Sequence, residues 1–443
     1  MKIKLFLTLF LLAFLGYSQE EKTSFTLEEA VQFALENNYA AVNADRDIAA
    51  AKKRKWETTT IGLPQINAKI DYQNFIKQPV SLIPAEFFGG NPGEFAEVTF
   101  GTKQTVNATA TLTQLLFDGS YLVGLQSAKV YLQISENAKE KTDQEVRKAV
   151  INAYGNVLLA EESVKILEDN IETLEKNLFE TEKIYENGLT EEENVEQLQI
   201  TLQSLKNNLI QTKRARNVSY RLLNFTMGRP IEAQLNLRDN LEALTLQYLD
   251  LGLVNKEFNI ENNIDYKIAK NNERSQELLL KLEKSYALPR LSAFINGGYA
   301  GNNNEFEFLS REQEWFGSSI AGVSLDIPIF SSGKRAAKTQ QAKIALEQAK
   351  TDLTETEQKL QLDIANAKIS YETSMNSYEL AKSNLALAKR IEYKNQIKFF
   401  EGITTSFDLR QAQLQLYSAQ QELLQAMVDV INQKTILETL LNE

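Results

Sequence analysis

Carboxylates are the most abundant side chains in this sequence suited to acid–base chemistry. Its 443 residues hold 59 Asp and Glu, with no histidine and no cysteine. Two such acids at the right separation can hydrolyse a glycoside, one as acid and the other as base or nucleophile. The commonest general base and transition-metal ligand, histidine, is missing. No glycine-rich phosphate loop is present either. The acids are spread along stretches of helical periodicity instead of gathering in one segment. No catalytic, cofactor-binding or metal site is therefore expected, and no cofactor. Asp408 stands near the head of a helical segment, where an acid suits the helix dipole. Lys52-Lys-Arg-Lys55 followed by Trp56 admits two readings, snorkelling against anionic headgroups or a solvated helix face. Met227-Gly-Arg-Pro230 reads as a helix stop, not a ligand site.

The elements that must position these residues come from a sequence that says nearly the same thing twice, about 214 positions apart. Tyr185-Glu-Asn-Gly-Leu-Thr190, followed by Asn194, Val195 and Gln199, returns as Phe399-Phe-Glu-Gly-Ile-Thr404, followed by Asp408, Leu409 and Gln413. Leu116-Phe-Asp-Gly-Ser120 is answered by Ile329-Phe-Ser-Ser-Gly333, and Leu63-Pro-Gln-Ile66 by Leu288-Pro-Arg-Leu291. From Phe117 to Gly188 is 71 positions, and from Phe330 to Gly402 it is 72. Repeats run about 25–227 and 265–443, separated by a linker of short mixed elements at about 228–264.

Between these landmarks the periodicity is helical. Val164, Leu167, Ile171, Leu174 and Leu178 step by three and four, a seam suited to supercoiled packing. Leu360, Ile364, Tyr371, Met375, Tyr378 and Leu385 do the same in the second half. Long helices are expected at about 120–187 and 333–401, each roughly 100 Å at 1.5 Å per residue. Each stops at a glycine and restarts within a few residues, with Gly402-Ile-Thr-Thr-Ser406 supplying caps for a helix beginning near Asp408. Each half is thus a helical hairpin with a tight tip.

Four strands are expected at about 63–76, 104–117, 288–300 and 318–330, apolar on one face and small-polar on the other. Such alternation fits a transmembrane barrel or a soluble sheet with one wet face. Alanine-rich apolar faces, and aromatics where the strands end (Phe75, Phe87, Phe88, Phe294, Trp315 and Phe316, with Phe117 and Phe330 at the other rim), tilt toward lipid. Four strands leave two raw edges that lipid cannot satisfy, so other copies must close them, two giving eight strands and three giving twelve. Residues 1–18 read as a secretory signal, with Lys2 and Lys4 before the apolar run Leu5–Leu15. No further apolar run is long enough for a membrane-spanning helix. A net charge of −11 argues against nucleic acid.

Taken together, these residues resemble the TolC-type outer-membrane efflux channels over essentially the whole mature chain. The specific parts are the duplicated glycine tips and the Leu-Phe-Asp-Gly and Ile-Phe-Ser-Ser-Gly junctions. The resemblance implies a mixed, mainly α fold. Long helical hairpins would form a periplasmic α-barrel, and four strands per chain would join a trimeric twelve-stranded transmembrane β-barrel. It implies a homotrimer in outer-membrane lipid, with an equatorial domain from about 228–264 and the C-terminal end. The tips Gly188, Leu189, Thr190, Gly402, Ile403 and Thr404 would dock a periplasmic adaptor coupled to an inner-membrane pump. Phe117, Asp118, Gly119, Phe330 and Gly333 would form the strand-to-helix junctions. The family's carboxylate constriction falls on Asp408, with neutral Gln411 at its second position, so one ring of three carboxylates is expected. Asn194 and Gln197 occupy the equivalent positions of the first half.

A soluble periplasmic coiled-coil adaptor or scaffold is the rival reading, and detergent dependence separates the two. Drug, metal and protein export would share this scaffold, because specificity resides in the pump.

Overall fold

The structure, a computed structural model, describes residues 23–442. The expected signal segment 1–18 lies outside them. In chain order the elements are β1 (Ser24–Phe25), α1 (Leu27–Asn37), α2 (Tyr39–Thr60), β2 (Gln65–Asn74), β3 (Val80–Pro84), β4 (Phe95–Thr99) and β5 (Gln104–Asp118). Then come α3 (Gly119–Glu186), α4 (Glu192–Met227), β6 (Asn236–Leu237), α5 (Leu241–Gln247) and α6 (Leu251–Val254). The rest are α7 (Ile264–Ser285), β7 (Arg290–Asn303), β8 (Trp315–Asp326), α8 (Lys334–Phe400) and α9 (Ser406–Leu441). The described residues divide into two compact units, one of 49–134 and 269–352, the other of 23–48, 135–268 and 353–442.

The first unit holds an antiparallel four-stranded sheet in the order β2-β5-β7-β8. Register places Ile66, Leu112, Ile295 and Ala321 in one row and Asn67, Thr111, Asn296 and Ile320 in the next. Because side chains alternate, the first row belongs to an apolar face and the second to a mostly polar one. Asn296 Nδ2 donates to Thr111 Oγ1 at 2.6 Å on that polar face. Large side chains stand uncovered on the apolar face, with Ile66 71%, Ile70 75% and Val323 64% exposed. A sheet in water would bury such a face.

Differences from the sequence expectation are local. The last strand ends at Asp326, not near 330, because Pro328 lacks an N–H and restricts its predecessor. Phe294 sits in mid-strand, its ring over Gly322, where an added Cβ would come within 2.8 Å of Phe294 Cζ. Phe87 and Phe88 lie in a one-turn 3-10 helix at the tip of a separate β3–β4 hairpin. An aromatic cluster does form at one end of the apolar face. Tyr72, Phe306, Phe308 and Trp315 meet at centroid distances of 5.7–6.5 Å. Phe308, from the β7–β8 loop, is its buried centre.

The second unit is helical, with a core joining α1, the middle of α3, the linker and the C-terminal half of α9. β1 pairs in parallel with β6, so the N-terminal segment is stitched to the linker. The Tyr154 hydroxyl donates to Asp239 Oδ2 at 2.8 Å and lies 3.1 Å from the Phe25 carbonyl. Burial, and then the Asp239 carboxylate, hold that phenol well above its ordinary 10.0. Gly228 ends α4 in the left-handed region at φ 78°, pressed against the Asn37 carbonyl. Arg229 next to it is buried over the Phe25 ring, which makes Met227-Gly-Arg-Pro230 a helix stop in the core. The heptad seam packs as a second cluster of Leu167, Ile171 and Leu174 against Leu198, Leu202 and Leu205 of α4. Among the described residues, no helix is long and apolar enough to cross a membrane.

Candidate functional site

The tips are built by two helical pairs of matched length. The first pair, α3 and α4, has 68 and 36 residues; the second, α8 and α9, has 67 and 36. At the first tip, Gly188 N–H donates to the Tyr185 carbonyl (2.8 Å) and Leu189 N–H to Ile184 (3.0 Å). At the second, Gly402 N–H donates to Phe399 (3.0 Å) and Ile403 N–H to Lys398 (2.8 Å). Both are Schellman closures, which need a residue in the left-handed region after the helix. Gly188 at φ 72° and Gly402 at φ 71° supply it, and an added Cβ at either would meet open space. Leu189 and Ile403, next in sequence, are 78% and 67% exposed. Each tip therefore shows an uncovered backbone turn beside an uncovered aliphatic side chain.

The helices leaving the tips are capped differently. α9 begins at Ser406, two residues before the expected start, with Thr405 as its N-cap. Thr405 and Asp408 form a capping box. Asp408 Oδ2 accepts from Thr405 N–H (3.2 Å) and from the hydroxyls of Thr405 (2.7 Å) and Thr404 (2.8 Å). The Thr405 and Thr404 hydroxyls hold this exposed carboxyl below its ordinary 3.8. Asp408 is thus a helix N-terminal acid whose charge still faces out, and Gln411, one turn on, is exposed as well. α4 has Glu191 at its N-cap with no side-chain cap bond. There Asn194 Nδ2 donates instead to Thr190 Oγ1 at 2.8 Å.

Ser406 joins the two tips. Its buried hydroxyl lies within hydrogen-bond reach of Asn194 Oδ1 and 3.2 Å from Gln197 Oε1, so one proton is shared between two carboxamides. A groove of 720 Å³ separates the tips, lined by Leu189, Glu191, Phe399, Phe400, Thr405 and Phe407 among others. The sequence marks Asn194 and Gln197 as neutral counterparts of the carboxylate positions and Ser406 as a capping hydroxyl. Their contact, across more than 200 residues of chain, carries no local signal. Gln199 and Gln413, paired by the repeat, part company: the first is exposed and the second buried.

The two strand-to-helix junctions also differ. Phe117 and Asp118 are the last residues of β5, and Gly119 opens α3 with no loop between. Asp118 Oδ1 accepts from Ser120 N–H (2.7 Å), Ser120 Oγ (2.6 Å) and Tyr121 N–H (3.2 Å), capping the helix. At Gly119 an added Cβ would come within 2.5 Å of Leu288 Cδ1. Phe330 lies beyond the end of β8, 85% exposed, in a turn with Ser332 at φ 49° and Gly333 at φ 82°. Arg335 holds that turn by donating to the carbonyls of Pro328 (2.8 Å) and Ile329 (3.2 Å).

Comparison with known proteins places this arrangement. A family model described as outer membrane efflux protein matches residues 30–229 and 260–443, leaving out most of the linker. The chain is 23% identical over 432 residues to outer membrane protein TolC of Vibrio cholerae, covering 97% of this chain and 93% of that one. It is 22% identical over 340 residues to alkaline protease secretion protein AprF of Pseudomonas aeruginosa, covering 73% of this chain and 67% of the relative. Crystal structures of CusC share its fold with a TM-score of 0.75 at 16% identity, over 94% of this chain and 91% of that one.

Proposed function

The chain belongs to the outer membrane efflux protein family, and on that premise we propose that three copies form one exit duct, opened at the helical tips by a periplasmic adaptor joined to an inner-membrane pump. It is an outer-membrane efflux and secretion channel, with long helices extending into the periplasm. It acts as a passive conduit, without catalysis.

The observation that carries the trimer is the pair of unpaired sheet edges. β2 and β8 each have one neighbour in the sheet, yet backbone groups in hydrocarbon must all be paired. Edge pairing between copies removes both edges. Two copies give an eight-stranded barrel filled by its own side chains, while three give twelve strands and a lumen. The Asn- and Thr-rich face then lines the lumen and the Ile66, Ile70 and Val323 face meets lipid. Matched helix lengths in the two halves support reading the chain as a duplicated unit.

At the tips, the open space over Gly188 and Gly402 admits the close approach of a partner helix, and Leu189 and Ile403 offer it apolar contact. Asp408 contributes one carboxylate per copy, three per channel, to the constriction.

Size and conductance of the detergent-solubilised protein test the proposal together. A particle of three chains that forms small, steady pores in planar bilayers is the expected result. A monomer that stays soluble without detergent would instead support the adaptor or scaffold reading.

A further inference from the structure

We propose that the helix-side end of the sheet carries a basic collar that binds anionic phospholipid headgroups and sets the depth of the barrel in the membrane. The inference rests on the sheet sitting in lipid.

Although the whole chain carries −11, one end of the sheet is locally cationic. The end of α2 holds Lys52, Lys53, Arg54 and Lys55 against Glu57 alone, and residues 326–345 hold Lys334, Arg335, Lys338 and Lys343 against Asp326 alone. The register puts both segments at the same end of the sheet. β2 starts opposite Thr113 near the end of β5, and Asp118 and Asp326 both pair with Arg290 at the start of β7. The opposite end is net acidic: the β3–β4 hairpin carries Glu86, Glu94 and Glu97 between Lys77 and Lys103, and the β7–β8 loop carries Glu305, Glu307, Glu312 and Glu314 against Arg311 alone. The sheet is thus polarised from end to end, as expected if its two ends meet different surfaces.

The cations are also available. Lys52, Lys53, Lys55, Lys334, Lys338 and Lys343 are exposed, and among the described residues none of these six forms a salt bridge. Arg54 instead stacks over the Tyr131 ring at 4.9 Å, and Arg335 holds the junction turn. Beside them an apolar rim is uncovered: Trp56 60%, Ile61 56%, Ile329 89% and Phe330 85% exposed. An apolar rim adjoining flexible lysines is the pattern of a membrane interface, aromatic and aliphatic groups at the acyl boundary and ammonium groups among headgroups.

Distance fits as well. Lys334 to Lys343 spans about 14 Å of helix, and Lys52 to Thr60 about 12 Å. A headgroup layer is roughly 5–7 Å deep, and a lysine side chain spans the remainder by snorkelling. The two segments flank opposite edges of one sheet. Pairing β8 of one copy with β2 of the next would therefore set Lys334–Lys343 beside Lys52–Lys55 and close the collar into a ring.

The chain has two tryptophans, Trp56 in the collar and Trp315 at the other end of the strands, and they supply the test. Full-length channel carrying W315F is reconstituted into mixed phosphatidylglycerol–phosphatidylethanolamine vesicles in which either the one lipid or the other is brominated. At low salt Trp56 should be quenched several-fold more by the anionic lipid, since each cation near such a surface favours it by about fivefold. The preference should vanish at 0.5 M sodium chloride and in K52Q/K53Q/K55Q/K334Q/K338Q. Equal quenching by both lipids at all salt concentrations, with Trp315 still quenched in W56F, would sink the collar alone. No lipid quenching of either tryptophan would sink the membrane placement itself. Loss of the preference in inorganic phosphate, at an ionic strength where chloride preserves it, would point to a discrete anion pocket and overturn the lipid assignment.

Discussion

The hydroxyl of Ser406, at the first turn of α9, stands 3.2 Å from the carboxamide oxygen of Gln197 on α4. Asn194 accepts from the same hydroxyl and donates to Thr190 in turn. This half-buried chain is a direct polar link between the two tips, so it is where a closed tip would be held.

Removing it should therefore loosen the closed state. Ser406→Ala deletes one shared hydrogen bond, a loss of about 1 kcal/mol, or roughly fivefold in a closed-to-open equilibrium. Planar-bilayer recordings should show a higher conductance or open fraction in S406A, with trimer mass unchanged. Identical traces for S406A and the parent would remove Ser406 from the gate.

The tip glycines separate docking from folding. At Gly188 and Gly402 an added Cβ meets open space, so for valine the expected penalty is mainly backbone strain of about 1–2 kcal/mol in the turn. G188V and G402V should assemble normally and fail in export. Normal export by both would refute a docking role for these turns.

Asp408 carries its charge to lower pH than a free carboxylate, because the Thr405 and Thr404 hydroxyls favour the ionised form. Its folded pKa is depressed, so any stability it contributes is present above the ordinary 3.8 and is lost as pH falls through the folded value. Cation preference in conductance should accordingly be flat from pH 8 to pH 5. Asp408→Asn should lower it by about fivefold, the scale of one close charge interaction in water. An unchanged reversal potential in D408N would leave Asp408 as a helix cap only.

Gly228 tests the core. A Cβ there would lie 2.2 Å from the Asn37 carbonyl oxygen and 2.6 Å from its carbon, with φ already at 78°. Both neighbours are backbone and cannot rotate away. Gly228→Ala should cost more than about 2 kcal/mol, seen as a lower melting temperature of the solubilised protein. A melting temperature within a degree of the parent would show that α1 yields freely.

Much of the fold was legible because it is written locally. A three-four apolar spacing and an unbroken stretch without proline mark α3 and α8, and a glycine ends each. Alternation marks the strands and assigns their faces. Legibility failed where a neighbour in sequence is not the neighbour in space. Phe294 looks like a strand-end aromatic until register sets it over Gly322. Phe87 and Phe88 look like rim residues until the β3–β4 hairpin carries them to its tip, off the four-stranded sheet. The end of β8 is not legible from apolar spacing, which continues through Ile327 and Ile329 although Pro328 withdraws a backbone donor.

By itself the sequence determined the helical hairpins, the two-faced strands and the glycine tips, since each depends on periodicity or on one residue's backbone freedom over a few positions. Only the tertiary structure decided that Ser406 bridges Asn194 and Gln197, that β1 pairs with β6, and that bases gather at one end of the sheet and acids at the other. Those relationships join segments more than 200 residues apart, and no local preference encodes a contact that exists only after the chain has packed.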